Sequence, residues 1–209
     1  MPTKYDTREA THGGSRAFYA AIDRNADTGA ITFGTPKALT GWRASSLEPS
    51  QDSNPYYADN VEHIRLQGIK TIDGSMTLYQ ISKDFMLNHL AKKEMPNGAI
   101  VDTGTYKAFV LGYVETVDNE FGEQTEELHI WYNIKASSPT AATSTDEDSP
   151  EPKEIEIPLT ASPNNGVLDT DGKAVTELVL RKTSQNTAFF ESAFDKVILP
   201  TDKLPSSGS

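Results

Sequence analysis

The sequence predicts a mainly β protein: an antiparallel β-sandwich or partial barrel with one flanking α-helix, a long inter-strand loop and extended terminal arms. Three observations predict it. Lys107–Ala136 reads as two long strands joined at the Gly-containing turn Asp118-Asn119-Glu120-Phe121-Gly122. Short runs with a period of two recur between turn signals along much of the chain. Only one segment, beginning at Ser82, carries a convincing helical pattern with start and stop signals.

Residues 1–16 are polar and read as an N-terminal arm, 17–194 as the β domain and 195–209 as a C-terminal arm. Ala17–Ile22 is strand-like, Asp23–Gly29 a turn, and Ala30–Phe33 pairs back as a hairpin. Residues 40–60 hold Pro49, Asn54-Pro55 and several serines without a sustained period, which marks a long loop. Trp42, Leu47, Tyr56 and Tyr57 give that loop apolar surface to dock with. In Val61–Gln67, Ile64 and Leu66 face one way, His63 and Arg65 the other. Asp73-Gly74 reads as a turn and Ser75–Ile81 as a strand. Ser82 caps the helix, and Asp84 suits the dipole in its first turn. Met86, Leu87, Leu90 and Ala91 form its apolar stripe, and Lys92 and Lys93 occupy the last turn before Pro96–Gly98.

Ala108–Val114 is apolar on both faces and therefore central. In the next strand Leu128, Ile130, Tyr132 and Ile134 face one way; Glu127, His129, Trp131 and Asn133 face the other. Trp131 fits two readings equally, packed under the helix or placed at a subunit contact, where aromatics are enriched. Ser137–Pro152 is an acidic low-complexity loop. Ile155, Ile157, Leu159 and Ala161 alternate with polar positions, and Pro158 marks an edge or an outward position. Asp171-Gly172 is a turn and Ala174–Lys182 a strand. Ser184–Phe194 is ambiguous and fits a short helix, and Lys196–Leu199 fits a last short strand.

The long hairpin and its flanks carry Glu115, Asp118, Glu120, Glu123, Glu126 and Glu127, with no Lys or Arg between Lys107 and Lys135. This predicts an acidic wall or rim that repels polyanions, or a surface for a cationic partner. The net charge of −11 argues against a sequence-reading DNA binder, which needs clustered Lys and Arg. The absence of cysteine removes disulfides, thiolate metal sites and cysteine nucleophiles. No apolar run approaches the roughly 20 residues of a membrane helix, so no membrane partner is expected. Asp23-x-Asn25-x-Asp27 begins like an EF-hand loop. It has Thr28 where that loop needs Gly and Gly34 where it needs a bidentate Glu, so a polar turn is the better reading. His12, His63, His89 and His129 have no ligand spacing. There is no nucleophile elbow and no phosphate-binding loop. The expectation is a protein without catalytic, cofactor or metal residues, and not an enzyme.

Several pieces recur in a recognisable order. They are Phe18-Tyr19-Ala20-Ala21-Ile22-Asp23 with Gly34-Thr35-Pro36; Gly74–Ile81 running into Phe85-Met86-Leu87; Asn97-Gly98 with Asp102-Thr103-Gly104; Gly112–Thr116; Glu126–Asn133; and residues 145–165. Together they resemble the major tail protein, or tail tube protein, of long-tailed bacteriophages infecting Gram-positive bacteria. The resemblance covers roughly residues 17–182. It implies a β-sandwich with a flanking helix, assembling as hexameric rings that stack around a tape measure protein into a tube. A sheet from each subunit would line the lumen through which DNA leaves the capsid, passing without sequence-specific binding. A long loop and terminal arms would stitch ring to ring. Tail terminator or neck proteins and distal tail proteins would be further partners. The location implied is the virion tail, assembled in the bacterial host cytoplasm. Two alternatives stand beside it: a monomeric β-sandwich binding module for carbohydrate or calcium, and a neck or tail-terminator protein of the same virion.

Overall fold

A computed structural model of the protein describes residues 8–50, 53–67, 71–140 and 152–204. Parts of both predicted arms (1–7 and 205–209) and most of the acidic low-complexity loop (141–151) lie outside the described residues. The strands are β1 (Glu9–Arg24), β2 (Ile31–Phe33), β3 (Lys37–Ala38), β4 (Trp42–Ser50), β5 (Ser53–Ala58), β6 (Val61–Gln67) and β7 (Thr71–Leu78). Helix α1 (Lys83–His89) follows, then β8 (Lys92–Glu94), β9 (Ile100–Asp102), β10 (Phe109–Asn119), β11 (Gln124–Ala136) and β12 (Ile155–Ala161). The chain continues with β13 (Asn164–Leu168), β14 (Ala174–Val175), β15 (Glu177–Arg181) and α2 (Thr187–Ser192).

The main sheet runs β2-β1-β10-β11-β12-β7-β4, all antiparallel, with β15 also on β11 and β3 on β1. It curls far enough for β4 to touch β1 without hydrogen bonding to it, which makes a partial barrel rather than a closed one. As predicted, β10 is central. Phe109, Leu111 and Tyr113 enter one core with Met76, Leu78, Phe85 and Ile157; Val110 and Val114 enter a second core with Leu128, Ile130, Tyr132 and Phe190. A strand buried on both faces has to be apolar throughout, which is the pattern Ala108–Val114 carries.

Four sequence expectations are corrected. First, Ile134 does not share a face with Leu128, Ile130 and Tyr132. The register passes from Leu111↔Trp131 to Phe109↔Ile134, so β11 carries one extra residue there. Such a bulge reverses the alternation, and Trp131 and Ile134 both enter the first core. Second, residues 9–16 are not a free arm but the exposed first half of β1, paired with the end of β10. Third, within the predicted loop 40–60, Trp42–Ser50 and Ser53–Ala58 are the strands β4 and β5, with Pro49 tolerated because β4 is an edge strand. Fourth, Val197 and Ile198 are buried in the second core, so residues 195–199 pack onto the domain instead of forming an arm or a strand.

Tyr132 anchors that last segment. Its buried hydroxyl donates to the Ile198 carbonyl at 2.7 Å. Burial, and then the Asp202 carboxylate, hold the phenol proton on. Tyr132→Phe leaves the carbonyl unpaired and is expected to cost about 1–3 kcal/mol, read as a lower urea midpoint with unchanged slope.

Helix α1 starts where the sequence places it, with Ser82 Oγ accepting from the Phe85 N–H at 3.2 Å. It ends a turn earlier than expected. Ala91 adopts a left-handed φ of 54°, and its carbonyl accepts from Thr103 N and Oγ1. Lys92 and Lys93 therefore lie in β8. The buried face centres on Phe85 and His89, whose rings pack with Tyr19 and Phe109. Asp84 does more than face the helix dipole: it accepts from Tyr19 Oη at 2.6 Å and from Lys37 Nζ at 2.9 Å. Burial and the Asp84 bond push the Tyr19 phenol up to about 12.

Candidate functional site

The six acidic residues of the hairpin do not form one surface. Glu115 and Glu127 are cross-strand partners, one row from the Tyr113↔His129 pair. Glu126 points to the opposite face because it is the neighbour of Glu127. Asp118 and Thr116 take that same parity on β10. Glu120 and Glu123 sit at the exposed tip, where Asn119 Oδ1 accepts from the Phe121 and Glu123 backbone N–H groups.

Neighbouring strands bring cations to most of these carboxylates. Glu126 meets Arg16 at 2.7 Å and Lys182 at 2.6 Å; both cations also reach Glu191 of α2. The two carboxylates raise the Lys182 ammonium above its ordinary value, and Lys182 lowers Glu191. Arg16 stands at φ 47° in a bulge, with its guanidinium 4.5 Å from the Phe194 ring centroid. Asp118 accepts from His12 at 3.0 Å. Glu127 and Glu115 lie near His129, and Arg181, opposite Glu127, makes a two-pronged pair with Glu9 at 2.8 Å. Among the described residues, Glu120 and Glu123 alone of the six have no cationic partner.

Sequence reasoning missed Arg16, Arg181, Lys182, Glu177 and Glu191. They lie outside the 107–135 window; the pairing of β1 with β10 and of β15 with β11 brings in Arg16, Glu177, Arg181 and Lys182, and α2 brings in Glu191. The one available signal was the Arg181-Lys182 pair at the end of a predicted strand.

The candidate contact residues divide as well. Trp131 is 6% exposed and is a core residue, which removes it from any outer surface. Trp42 and Leu47 pack against the first core, with Trp42 stacked on Tyr113 at 5.4 Å and its Nε1 over Gly14. Tyr56 and Tyr57 are 53% and 68% exposed. They belong to the ribbon β5–β6, which hydrogen bonds to no other strand among the described residues. Register puts Tyr56 opposite Ile64, Asn54 opposite Leu66 and Ala58 opposite Val61. Arg65 and Glu62 bridge on the other face. Val61, Ile64 and Leu66 are each at least half exposed, so one face of the ribbon is an uncovered apolar stripe. The alternation of Ile64 and Leu66 was legible; their lack of a covering layer was not.

No group of three or more potential metal ligands occurs among the described residues. Asn25 Oδ1 is already engaged by the Asp27 and Thr28 backbone N–H groups, as a polar turn requires. Among the described residues, no helix is long and apolar enough to cross a membrane.

A comparison with curated proteins gives no match. A comparison with family models matches the one described as phage tail tube protein, over residues 1–207. That is a structural family and not an enzyme family, and it makes the protein a component of the phage tail. The chain belongs to the phage tail tube protein family.

Proposed function

We propose that this protein is the major tail subunit, polymerising as stacked hexameric rings around a tape measure protein into the tube through which phage DNA is ejected. Family membership supports the tube, and the uncovered apolar face of the β5–β6 ribbon carries the stacking. A self-paired ribbon with Tyr56, Val61, Ile64 and Leu66 exposed on one face is a docking element waiting for a neighbour. Tyr57, next to Tyr56 on the same ribbon, borders that contact.

The strands β1, β10, β11 and β15 form a four-stranded antiparallel segment with unpaired edges at Glu9–His12 and at β15 among the described residues. An even number of strands lets β15 of one subunit meet β1 of the next antiparallel, so a head-to-tail ring removes both edges. The face carrying Glu115, Glu127 and Glu177 remains net acidic after Arg181 is shared with Glu9. On the lumen wall, with Glu120 and Glu123 at the rim, it repels phosphate over about 8 Å at physiological salt. Tail terminator or neck and distal tail proteins would cap the tube, with assembly in the host cytoplasm.

Negative-stain microscopy of concentrated protein, alone and co-expressed with its tape measure protein, tests this reading. Rings or tubes of uniform diameter are expected in at least the second setting. Their absence from both would overturn it.

A further inference from the structure

His129 stands among the carboxylates that the assembly reading places on the lumen wall, but that reading gives the imidazole itself no role. Its side chain is only 15% exposed. Glu177 Oε1 of β15 lies 3.0 Å from Nδ1. Glu115 Oε2 of β10 and Glu127 Oε1 of β11 each lie 3.5 Å from Nε2. Tyr113 of β10 stacks on the imidazole at 5.1 Å with planes 10° apart. Tyr113 is in turn covered by Trp42 of β4. Trp131, two positions along β11, is the register partner of Glu177. Arg181 of β15 is opposite Glu127, but Glu9 of β1 already engages it.

Both ring nitrogens therefore face carboxylate oxygens. A neutral imidazole has a single N–H, so its second nitrogen would turn a lone pair toward an anion. An imidazolium directs an N–H to each side and places one positive charge among three negative ones. We propose that His129 acts as a protonated clasp that fastens the edge strand β15 to β10 and β11, making the hold on that strand pH-sensitive.

The direction of titration agrees. Burial lowers the imidazole, but the Glu177 bond and the charges of Glu115, Glu177 and Glu127 together outweigh it and hold it above 6.5. Burial, the largest influence, raises the Tyr113 phenol, and the Glu9 bond raises the Arg181 guanidinium, so neither changes charge near neutrality. A folded value above the unfolded one gives stability that is complete below the unfolded value. That stability is lost as pH rises through the folded value. The window thus opens near 6.5 and extends upward.

The test compares thermal midpoints of unassembled wild type and His129→Gln from about pH 5.5 to about pH 9. The wild-type advantage is expected to be widest at the acid end and to shrink by about 2–4 °C or more as pH rises. In parallel, the His129 ring titration is followed by NMR in wild type and in Glu177→Gln, where it is expected to move to lower pH. A pH-independent advantage, or a wild-type ring titrating at or below its ordinary value, would overturn the proposal. If His129→Gln does not fold, the NMR pair decides alone. Both measurements use the protomer, so failure to form tubes has no bearing on them.

Discussion

Gly74→Ala is expected to destabilise the protein by about 3–5 kcal/mol and to strip most of it from the soluble fraction. Gly74 lies opposite Leu47, where edge strand β4 crosses β7. An added Cβ would overlap the Ser46 carbonyl oxygen and come within 2.8 Å of the Ser46 carbonyl carbon and 2.9 Å of Leu47 Cα. All three are backbone atoms, so no rotamer change relieves the overlap and β4 must lift from β7. That would uncover Ile72 and Met76, which are 5% and 0% exposed. Gly172 makes a useful contrast. It has a φ of 77° and open space around its Cβ position, so Gly172→Ala costs only backbone strain, about 1–2 kcal/mol. Urea midpoints of the two variants give the comparison. Equal, small losses would refute the close-approach argument.

The same two glycines mark what a sequence can and cannot reveal about this fold. Asp73-Gly74 and Asp171-Gly172 are identical dipeptides, and each was read as a turn. The second is one, with the Gly172 N–H donating to the Asp169 carbonyl. The first lies mid-strand in β7, because its glycine answers to β4, a strand some 27 positions earlier. Local chemistry was legible wherever it decided the outcome: the Ser82 cap, the β10–β11 hairpin and the double-sided apolar run of β10. What was not legible depends on pairing across the chain. The acidic hairpin looked one-sided because Arg16 and Lys182 stand 110 and 56 positions from Glu126. The bulge that turns Ile134 into the first core was hidden for a related reason. Strict alternation is the only register a lone strand can suggest, and the departure is fixed by packing against β10 and β12.

The paired substitution Ile64→Asp with Leu66→Asp is expected to leave the protomer folded and abolish tubes. Both side chains are about half exposed and lie on a ribbon that, among the described residues, pairs only with itself, so their loss removes little from the core. Surface changes of this kind stay within about 0.5 kcal/mol of wild type. At a stacking contact the arithmetic reverses. Burying the exposed half of each of these side chains contributes about 1 kcal/mol, and a carboxylate buried in its place adds a desolvation cost of about 1–3 kcal/mol or more. Losing at least 3 kcal/mol per contact raises the concentration needed for assembly by about 100-fold or more. Every subunit in a helical or ring-stacked polymer repeats the contact, so no intact subset can rescue growth. Arg65→Ala, on the opposite face of the ribbon, removes the exposed Glu62 bridge and a long 3.5 Å bond to Ser53 Oγ, and is expected to assemble as wild type does. Circular dichroism, thermal midpoint and negative-stain microscopy of the three proteins separate the cases. Tubes from the double variant at wild-type concentration would mean that the apolar face of this ribbon is not where rings meet.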